Sequence, residues 1–384
     1  MQIKREVRRG MRRLLGFVRS YPEQTTFAAE LAPAASAGPP SEASAAGSGR
    51  YTLVHRGDSF PCRASKYSID PETFGRAHEV RTEDVFVAGI PNGRLVSDQF
   101  IVTSAAGKIF ADSAITKRQL AHSDAPFRRR WPAARCLEGA HVVLASRYWE
   151  NYYHWLFDIV SRLSLIEQFD DLRELPLLVP KGLKGFQLES LDLFGVDRKR
   201  LVEIDGSPVQ VEWLVYPSLP RPLATPNPWV VFWLREKLLA AAGPPSRPPY
   251  RRLYITRRDS ALRKLLNEDE IEGRLHKLGF ETVCCSDFGL LQQVELFRDA
   301  EIVVGPHGAG FSNMLFAPTT APMLEINSPS WLQPALQQLS SMLGQPHGWL
   351  LGAPVGEGIR ADADQFERMV CTALDDLTRD HSSS

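Results

Sequence analysis

The sequence predicts an α/β fold in which two Rossmann-like domains face each other across a cleft. Apolar runs of strand type alternate with helical periodicity over residues 51–218, and the alternation returns after residue 250. Between the two regions the chain is richest in proline, at residues 217–228 and 243–249. A stiff, irregular connection of this kind favours a domain boundary there.

The first region contains short runs typical of strands around a long helical pattern at residues 151–168. Apolar residues recur there at helical spacing, and a second, shorter helix is predicted at 186–194. The predicted strands are 85–88, 95–102, 141–145, 177–179, 201–204 and 211–216. Alternation of strands and helices predicts a parallel sheet covered by helices.

The last third gives the clearest pattern. Asn267 followed by Glu270 is typical of a helix N-terminus, and Gly279 marks the end of that helix. Further strands and helices alternate around it, and the glycine-rich turn 305–310 follows one of the strands. The predicted strands are 253–256, 281–285, 301–304 and 322–326, with a helix at 289–299. This order predicts a doubly wound half.

Charge is balanced overall but not locally. The 384 residues carry 45 basic and 45 acidic side chains, which disfavours a protein that coats nucleic acid. Residues 1–20 nevertheless have a net charge of +6, and residues 32–49 have the composition of a flexible linker. The basic segment predicts either attachment to an anionic membrane surface or a solvated tail. The predicted organisation is an arm and linker at 1–50, a first α/β domain at 51–225 and a second, Rossmann-like domain at 226–384.

The sequence gives no sign of a membrane span or a disulfide framework. No apolar run approaches the roughly 20 residues that cross a bilayer, and the basic N-terminus lacks the apolar core of a secretory signal. The five cysteines are odd in number and have no metal-ligand spacing. We expect a reduced, cytoplasmic protein, which the arm could hold at the inner face of the membrane.

The turn 305–310 is a candidate phosphate site. Its glycines let the backbone approach a ligand, and the helix that follows offers unpaired N–H groups to an anion. The spacing matches neither the dinucleotide nor the P-loop fingerprint. A loop that only turns the chain would explain Gly308 and Gly310, but it would need neither His307 nor Asn313.

Arg257 and Arg258 lie at the carboxyl end of a predicted strand, the edge where open α/β sheets bind ligands. Arg263 and Lys264 follow in the same loop. Guanidinium groups can hold phosphate oxygens with two parallel hydrogen bonds. A solvated basic loop is the alternative, and it is less favoured because the cluster shares a sheet edge with the glycine turn.

The helix at 151–168 carries candidate acid–base residues. With Asn151 as the cap, His154 lies in the first turn, where the helix dipole favours a neutral imidazole. Asp158 shares its face and could orient the ring, and Arg162 continues that face. The alternative is a capped helix with a buried, hydrogen-bonded histidine.

No metal site is predicted. A D-x-D pair occurs at Asp362 and Asp364, where a helix start is the better interpretation. Arginines and a helix N-terminus can neutralise a departing diphosphate without a metal ion. We therefore expect no cofactor and no metal.

Taken together, three ordered blocks resemble glycosyltransferase family 61. They are E-N-Y-Y-H-W-L-F-D-I-V-S-R-L at 150–163, Y-I-T-R-R-D at 254–259 with N-E at 267–268, and G-P-H-G-A-G-F-S-N at 305–313 with Glu325. The resemblance implies a GT-B-like pair of Rossmann domains and an inverting, metal-independent transfer. It places the acceptor side at His154 and Asp158, and the donor side at Arg257, Arg258, His307, Gly308, Ala309, Gly310, Asn313 and Glu325. Thr256 and Phe311 depart mildly from the family pattern.

The sequence therefore predicts a glycosyltransferase that moves a sugar from a nucleotide sugar, with a uridine diphosphate sugar expected, to a glycan or lipid-linked acceptor. Bacterial relatives of this kind imply a role in capsular or other polysaccharide biosynthesis. One alternative is a catalytically silent nucleotide-sugar-binding module of a polysaccharide assembly complex. Another is a sugar-nucleotide oxidoreductase, which the missing dinucleotide fingerprint disfavours.

Overall fold

The computed structural model describes residues 25–26, 49–68, 75–114, 133–220, 225–260 and 262–382. These residues form two large β-sheets with flanking helices, so the α/β class with parallel strands is confirmed. The predicted basic segment 1–20 lies outside the described residues, as does nearly all of the linker. Within the described part of the chain, no helix combines the length and the apolarity needed to cross a membrane.

The elements are numbered in chain order. The strands are β1 (Thr25–Thr26), β2 (Arg50–His55), β3 (Ser59–Cys62), β4 (His78–Arg81), β5 (Val85–Val96), β6 (Ile101–Thr103), β7 (Ile109–Phe110), β8 (Arg135–Val143), β9 (Leu177–Pro180), β10 (Leu201–Ile204), β11 (Val209–Pro217), β12 (Arg251–Ile255), β13 (Glu281–Val283), β14 (Ala300–Pro306), β15 (Met323–Asn327), β16 (His347–Leu351), β17 (Ala353–Val355) and β18 (Gly358–Arg360). The α-helices are α1 (Tyr152–His154), α2 (Leu163–Ile166), α3 (Phe186–Leu193), α4 (Pro228–Ala242), α5 (Glu268–Lys277), α6 (Leu290–Arg298), α7 (Ala335–Leu343) and α8 (Ala363–Ser382).

The first sheet is mixed, whereas the sequence predicted a parallel one. Strands β8, β9, β10 and β11 pair in parallel, but β5 is antiparallel to β2, β6 and β11. The predicted strand 95–102 is wrong, because a tight turn divides it into β5 and β6. Ser97 and Phe100 have positive φ in that turn, at 66° and 53°. A turn this short joins only antiparallel strands, since parallel strands need a long crossover.

The second sheet is parallel throughout, as the sequence predicted. Its strands run in the order β13-β12-β14-β15-β16, and each neighbouring pair is parallel. The order reverses between β12 and β14, which makes this the topological switch point of the sheet. In such sheets the crevice outside the carboxyl ends of the strands at the switch point is the usual ligand site.

The chain beyond β15 adds α7, β16 and the hairpin β17–β18, which the sequence had not specified, and then α8. Helix α8 begins directly after Asp362, whose Oδ1 accepts a hydrogen bond from the Gln365 N–H at 2.9 Å. Asp364 forms an ion pair with Arg274 at 2.5 Å. The D-x-D pair is therefore a helix start, as predicted.

The two sheets share one apolar core. A single cluster of buried side chains includes Val215 of β11 and Val303 of β14. Polar contacts reinforce it, because the Glu189 carboxylate of α3 accepts hydrogen bonds from the Leu290 and Leu291 N–H groups at 2.5 and 3.0 Å. That carboxylate caps α6, where the helix dipole stabilises a negative charge.

A segment from the first half of the chain packs on the second. In the hairpin β3–β4 and its connection, the Arg63 N–H donates to Ser341 Oγ of α7 at 2.9 Å. Gln337 of the same helix donates to the Arg63 carbonyl at 2.8 Å. Tyr67 joins the apolar cluster around Tyr254 of β12. The domain boundary near residue 225 stays a prediction. This segment precedes that boundary in the sequence but packs against residues that follow it.

Substitution of Gly305 tests how closely the backbones of β12 and β14 approach each other. Its φ is +153°, and a Cβ atom there would lie 2.4 Å from the Ile255 carbonyl oxygen. We expect Gly305→Ala to lower the free energy of unfolding by roughly 2 kcal/mol or more. Urea denaturation followed by circular dichroism measures the change.

Gly273→Ala is the matched control, because no atom lies within 4 Å of its Cβ position on α5. Alanine stabilises a helix interior by about 0.5–1 kcal/mol relative to glycine, so the control should shift in the opposite direction. Equal effects of the two substitutions would contradict the close approach at Gly305.

Candidate active site

The helical segment 152–166 begins at the predicted cap and then changes pitch. Asn151 Oδ1 accepts a hydrogen bond from the His154 N–H at 3.3 Å. A π-helical turn follows over Trp155–Ile159. Such turns are rare and often occur at functional sites. The long regular helix of the prediction is therefore interrupted where the candidate residues lie.

His154 and Asp158 form a hydrogen-bonded pair across this turn. His154 Nδ1 and Asp158 Oδ2 are 2.7 Å apart. The imidazole is 23% exposed, whereas the carboxylate is completely buried. A substrate from solvent therefore reaches the histidine, and the carboxylate fixes its orientation from below.

Arg162 lies on the same face but is buried. Its Nε donates to the backbone carbonyl of Asp158 at 2.8 Å, and its guanidinium lies 5.4 Å from the ring centroid of Tyr216. Burial lowers the pKa of this arginine. The guanidinium thus stabilises the end of the π-helical turn and does not face a substrate.

Tyr148 is a residue that the sequence did not single out. It has a φ of +63°, which is rare for a residue with a side chain, and it is 49% exposed. Its ring centroid lies 5.0 Å from that of His154. Unusual backbone conformations of this kind cluster at functional sites. The positive φ is invisible in a one-dimensional pattern, since no glycine marks it.

The glycine turn holds the Arg257 guanidinium. Arg257 Nη1 donates to the His307 carbonyl at 2.5 Å, and Nη2 donates to Ser260 Oγ at 2.9 Å. A Cβ atom on Gly308 would lie 2.3 Å from Arg257 Nη1. A side chain at 308 would therefore displace the Arg257 guanidinium, which lies over the backbone there. Burial, together with the nearby charge of Arg263, lowers the pKa of Arg257 to about 10.

A buried hydrogen-bonded chain supports His307. Its Nδ1 lies 2.6 Å from Glu325 Oε2, and the other carboxylate oxygen lies 3.0 Å from His347 Nε2. Ser65 Oγ lies 2.7 Å from His347 Nδ1. Burial alone would raise the pKa of Glu325, but the two histidines outweigh it and hold the pKa at about 2. An ionised carboxylate accepts hydrogen bonds only, so each histidine donates to it.

The two candidate regions are joined directly. The Tyr152 hydroxyl of α1 donates to Asn313 Oδ1 at 2.6 Å, and Asn313 Nδ2 donates to Gln293 Oε1 at 2.7 Å. Asn313 lies in the 3₁₀ helix Ala309–Leu315 that follows the glycine turn. The helix that carries His154 therefore contacts the segment that follows the glycine turn.

Comparison with known proteins agrees with this arrangement. Residues 152–324 match the family model described as Glycosyltransferase 61. The chain contains a glycosyltransferase family 61 domain. The matched region includes His154, Asp158, Arg257 and His307, and it ends one residue before Glu325. The resemblance seen in the three sequence blocks is confirmed.

Two similar proteins of known name match part of this chain. An EGF domain-specific O-linked N-acetylglucosamine transferase of Drosophila melanogaster is 29% identical over 142 residues, which are 33% of this chain and 27% of that protein. The protein of that name from Mus musculus is 32% identical over 80 residues, or 20% of this chain and 15% of its own length. The matches thus cover about a quarter or less of these relatives.

Solved structures offer a weaker likeness. The dodecameric iron-containing heptosyltransferase TibC, in complex with ADP-D-beta-D-heptose, aligns with 89% of this chain and 99% of its own. The TM-score is 0.33 and the sequence identity is 10%. TibC from enterotoxigenic E. coli gives a TM-score of 0.34. At these scores the likeness does not define the fold of the family 61 domain.

Two predicted donor-side residues of the family 61 domain have partners within the protein. Arg258 Nη2 donates to Asp269 Oδ1 at 2.6 Å and to the Glu272 carboxylate, and these carboxylates raise its pKa. Asn313 is fully buried between Tyr152 and Gln293. Both side chains support the local structure in this state. The assignment of either residue to donor binding stays a prediction.

The remaining predicted residues lie at the edge of the turn. Ala309 and Gly310 are partly exposed, and a Cβ atom on Gly310 would lie 3.0 Å from Cys285 Sγ. Lys264 is exposed, and its backbone carbonyl accepts a hydrogen bond from the Ile359 N–H at 2.9 Å. The structure therefore brings Arg257, His307 and Glu325 together with the turn, and it leaves Lys264 at the surface.

His347 and Ser65 were missed by the sequence interpretation. His347 lies at the start of β16, beside β15 and its Glu325, and Ser65 comes from the segment that crosses from the first half. No local motif marks either residue. Across the described ranges, no group of three or more His, Cys, Asp or Glu side chains is arranged to hold a metal ion.

The low pKa of Glu325 predicts an acid-dependent contribution to stability. Because the folded pKa of about 2 lies below the ordinary value of 4.5, the contribution is fully present above pH 4.5. It is lost as the pH falls from about 4.5 towards 2. Each unit by which folding lowers the pKa corresponds to about 1.4 kcal/mol of stability. We expect Glu325→Gln to flatten the pH dependence of the free energy of unfolding in this window.

Glu357→Gln is the control, because Glu357 is exposed in the hairpin β17–β18. It should keep the acid slope of the wild-type protein. Denaturant titrations at half-unit pH intervals measure both variants. A wild-type slope in Glu325→Gln would show that the contacts of the carboxylate with His307 and His347 do not stabilise the fold.

Proposed function

We propose that the protein is an inverting glycosyltransferase that moves a sugar from a nucleotide sugar to a hydroxyl group of its acceptor. The observation that carries the proposal is the 2.6 Å hydrogen bond between Tyr152 and Asn313. It joins the helix of the His154–Asp158 pair to the turn beside Arg257 and His307. A base and an anion-binding cluster on adjoining elements are what a single displacement at an anomeric carbon requires.

His154 is the proposed general base. Its imidazole is partly exposed. The buried Asp158 carboxylate accepts a hydrogen bond from Nδ1–H, so Nε2 is the nitrogen without a proton and acts as the base. As the acceptor hydroxyl attacks, its proton passes to Nε2. Asp158 then stabilises the imidazolium that forms, as a positioning residue. The exposure of the two groups favours this order over Asp158 acting as the base itself.

Arg257 and His307 are the proposed partners of the departing diphosphate. Both lie at the turn after β14, beside the switch point of the second sheet. Glu325 holds His307 in position from the buried side. A fixed guanidinium and fixed hydrogen-bond donors stabilise developing negative charge without a metal ion. One displacement with one base inverts the configuration at the anomeric carbon.

The donor and acceptor are proposed by class. A uridine diphosphate sugar is the proposed donor, with N-acetylglucosamine the first sugar to test because the names of the relatives contain it. The proposed acceptor is a glycan or a lipid-linked glycan in polysaccharide biosynthesis. A cytoplasmic site of action and a membrane contact through residues 1–20 remain proposals as well, and that segment lies outside the described residues.

The first functional prediction separates the base from the donor site. We expect His154→Ala to lower turnover by about 100- to 10,000-fold while nucleotide affinity stays nearly unchanged. Asp158→Asn should lower turnover less than His154→Ala does. The double variant should have nearly the same turnover as His154→Ala, because the two residues act as one unit. Arg257→Ala should instead weaken nucleotide binding by roughly 10- to 150-fold.

Calorimetric titration of the nucleotide beside turnover assays measures both effects. The control is His276→Ala, an exposed histidine of α5 whose Nε2 lies 3.1 Å from Thr282 Oγ1. It should leave both quantities unchanged. Full turnover in His154→Ala would contradict the assignment of the base. Donor binding without turnover in the wild-type protein would favour the silent binding module.

The second functional prediction concerns metal. If Arg257 and His307 neutralise the leaving group, transfer should survive an excess of EDTA with no more than a twofold loss of rate. A magnesium-dependent transferase assayed in the same buffer should lose its activity and so validates the chelation. Loss of transfer with EDTA, and its rescue by magnesium or manganese, would contradict the metal-independent proposal.

A further inference from the structure

Two loops at the carboxyl ends of β12 and β15 bring an aromatic ring and a guanidinium together. Trp331 follows β15, and its N–H donates to the Ser328 carbonyl at 2.9 Å. The Arg263 guanidinium lies over the Trp331 ring, with Cζ 5.4 Å from the ring centroid. The tryptophan remains 51% exposed. The exposed ring thus lies at the carboxyl edge of the parallel sheet, where such sheets usually bind ligands.

Arg263 is held without a counter-charge. Its φ is +55°, and among the described residues its guanidinium meets no carboxylate and donates no hydrogen bond. Nη1 is buried with no partner in that part of the chain, and so is Nε of the neighbouring Arg257. Two nearby guanidinium groups repel each other, and buried unpartnered donors destabilise the fold. A bound anion would relieve both effects.

A third unpartnered group lies at the same edge. Asn327, the last residue of β15, is completely buried, and neither Nδ2 nor Oδ1 has a hydrogen-bond partner among the described residues. It lies on the same face of β15 as Glu325, because side chains two residues apart in a strand share a face. Buried amides are nearly always hydrogen-bonded in proteins. A bound polar group at this edge would supply the hydrogen bonds that the described residues do not give to Asn327.

We propose that Arg263, Asn327 and Trp331 form a nucleoside diphosphate subsite, in which the base stacks on the Trp331 ring and Arg263 joins Arg257 at the diphosphate. This inference rests on the proposed function and specifies where its donor lies. A stacking platform, a pair of guanidinium groups and a buried amide together match a base, a diphosphate and a sugar hydroxyl. Stacking tolerates any base, so the subsite selects the ligand class rather than uracil in particular.

Calorimetric titrations with two probes, UDP and inorganic pyrophosphate, separate the two parts of the subsite. We expect Trp331→Ala to weaken UDP binding by about 5- to 150-fold and to leave pyrophosphate binding unchanged. Trp331→Phe should restore most of the affinity for UDP, since a phenyl ring still stacks. Arg263→Ala should weaken the binding of both probes by roughly 10- to 150-fold.

Tyr250→Ala is the matched control. Tyr250 is an exposed aromatic residue with the Arg247 guanidinium 3.2 Å from its ring centroid, but it precedes β12 and so lies at the amino edge of the same sheet. It should bind both probes as the wild-type protein does. A thermal unfolding midpoint for each variant verifies that the fold is intact.

The outcomes distinguish this inference from the proposed function. If the wild-type protein binds UDP and Trp331→Ala binds it equally well, the subsite is wrong and the proposed function stands. If Trp331→Ala weakens pyrophosphate as much as UDP, the ring does not contact the base and the subsite is again wrong. If the wild-type protein binds none of UDP, ADP and GDP, both proposals fail together.

Discussion

A carboxylate with no access to water must be hydrogen-bonded by its neighbours, and Glu325 meets this requirement with two histidines. His307 follows the end of β14 and His347 begins β16, so the carboxylate, which lies on β15, joins three adjacent strands. The carbonyl of His307 in turn accepts a hydrogen bond from Arg257. The position of the guanidinium above the glycine turn therefore depends on a charge buried beneath it.

The sequence predicted the second sheet well because its signals are local. A cap residue, a helix and a buried strand recur there at short intervals, and each signal lies next to the element that it defines. The first sheet was predicted less well. The antiparallel pairing of β5 with β6 follows from a turn without glycine at Ser97–Phe100, and the predicted strand 95–102 ran through the polar residues of that turn. The interruption of the helix over Trp155–Ile159 is likewise a consequence of packing, which periodicity does not encode.

The candidate site shows the same division. The pairing of His154 with Asp158 was predictable, because residues four positions apart in a helix lie close together. Arg258 and Arg257 are adjacent and chemically identical, and only the structure separates the one that pairs with Asp269 and Glu272 from the one that lies over Gly308. Tyr152 and Asn313 are hydrogen-bonded although they lie 161 positions apart in the sequence, and no spacing pattern predicts a contact over that separation.

The segment that carries Ser65 has a consequence for how this chain can be recombined. Ser65 contacts His347, and Arg63 contacts α7, although both precede the first sheet's central strands in the chain. A chimera that exchanges everything before residue 226 with a relative would replace these contacts and disturb the support of Glu325. An exchange of first halves between relatives therefore has to leave residues 59–68 together with the second half that they contact. The part of the chain that would have to be exchanged as one piece is therefore discontinuous in sequence.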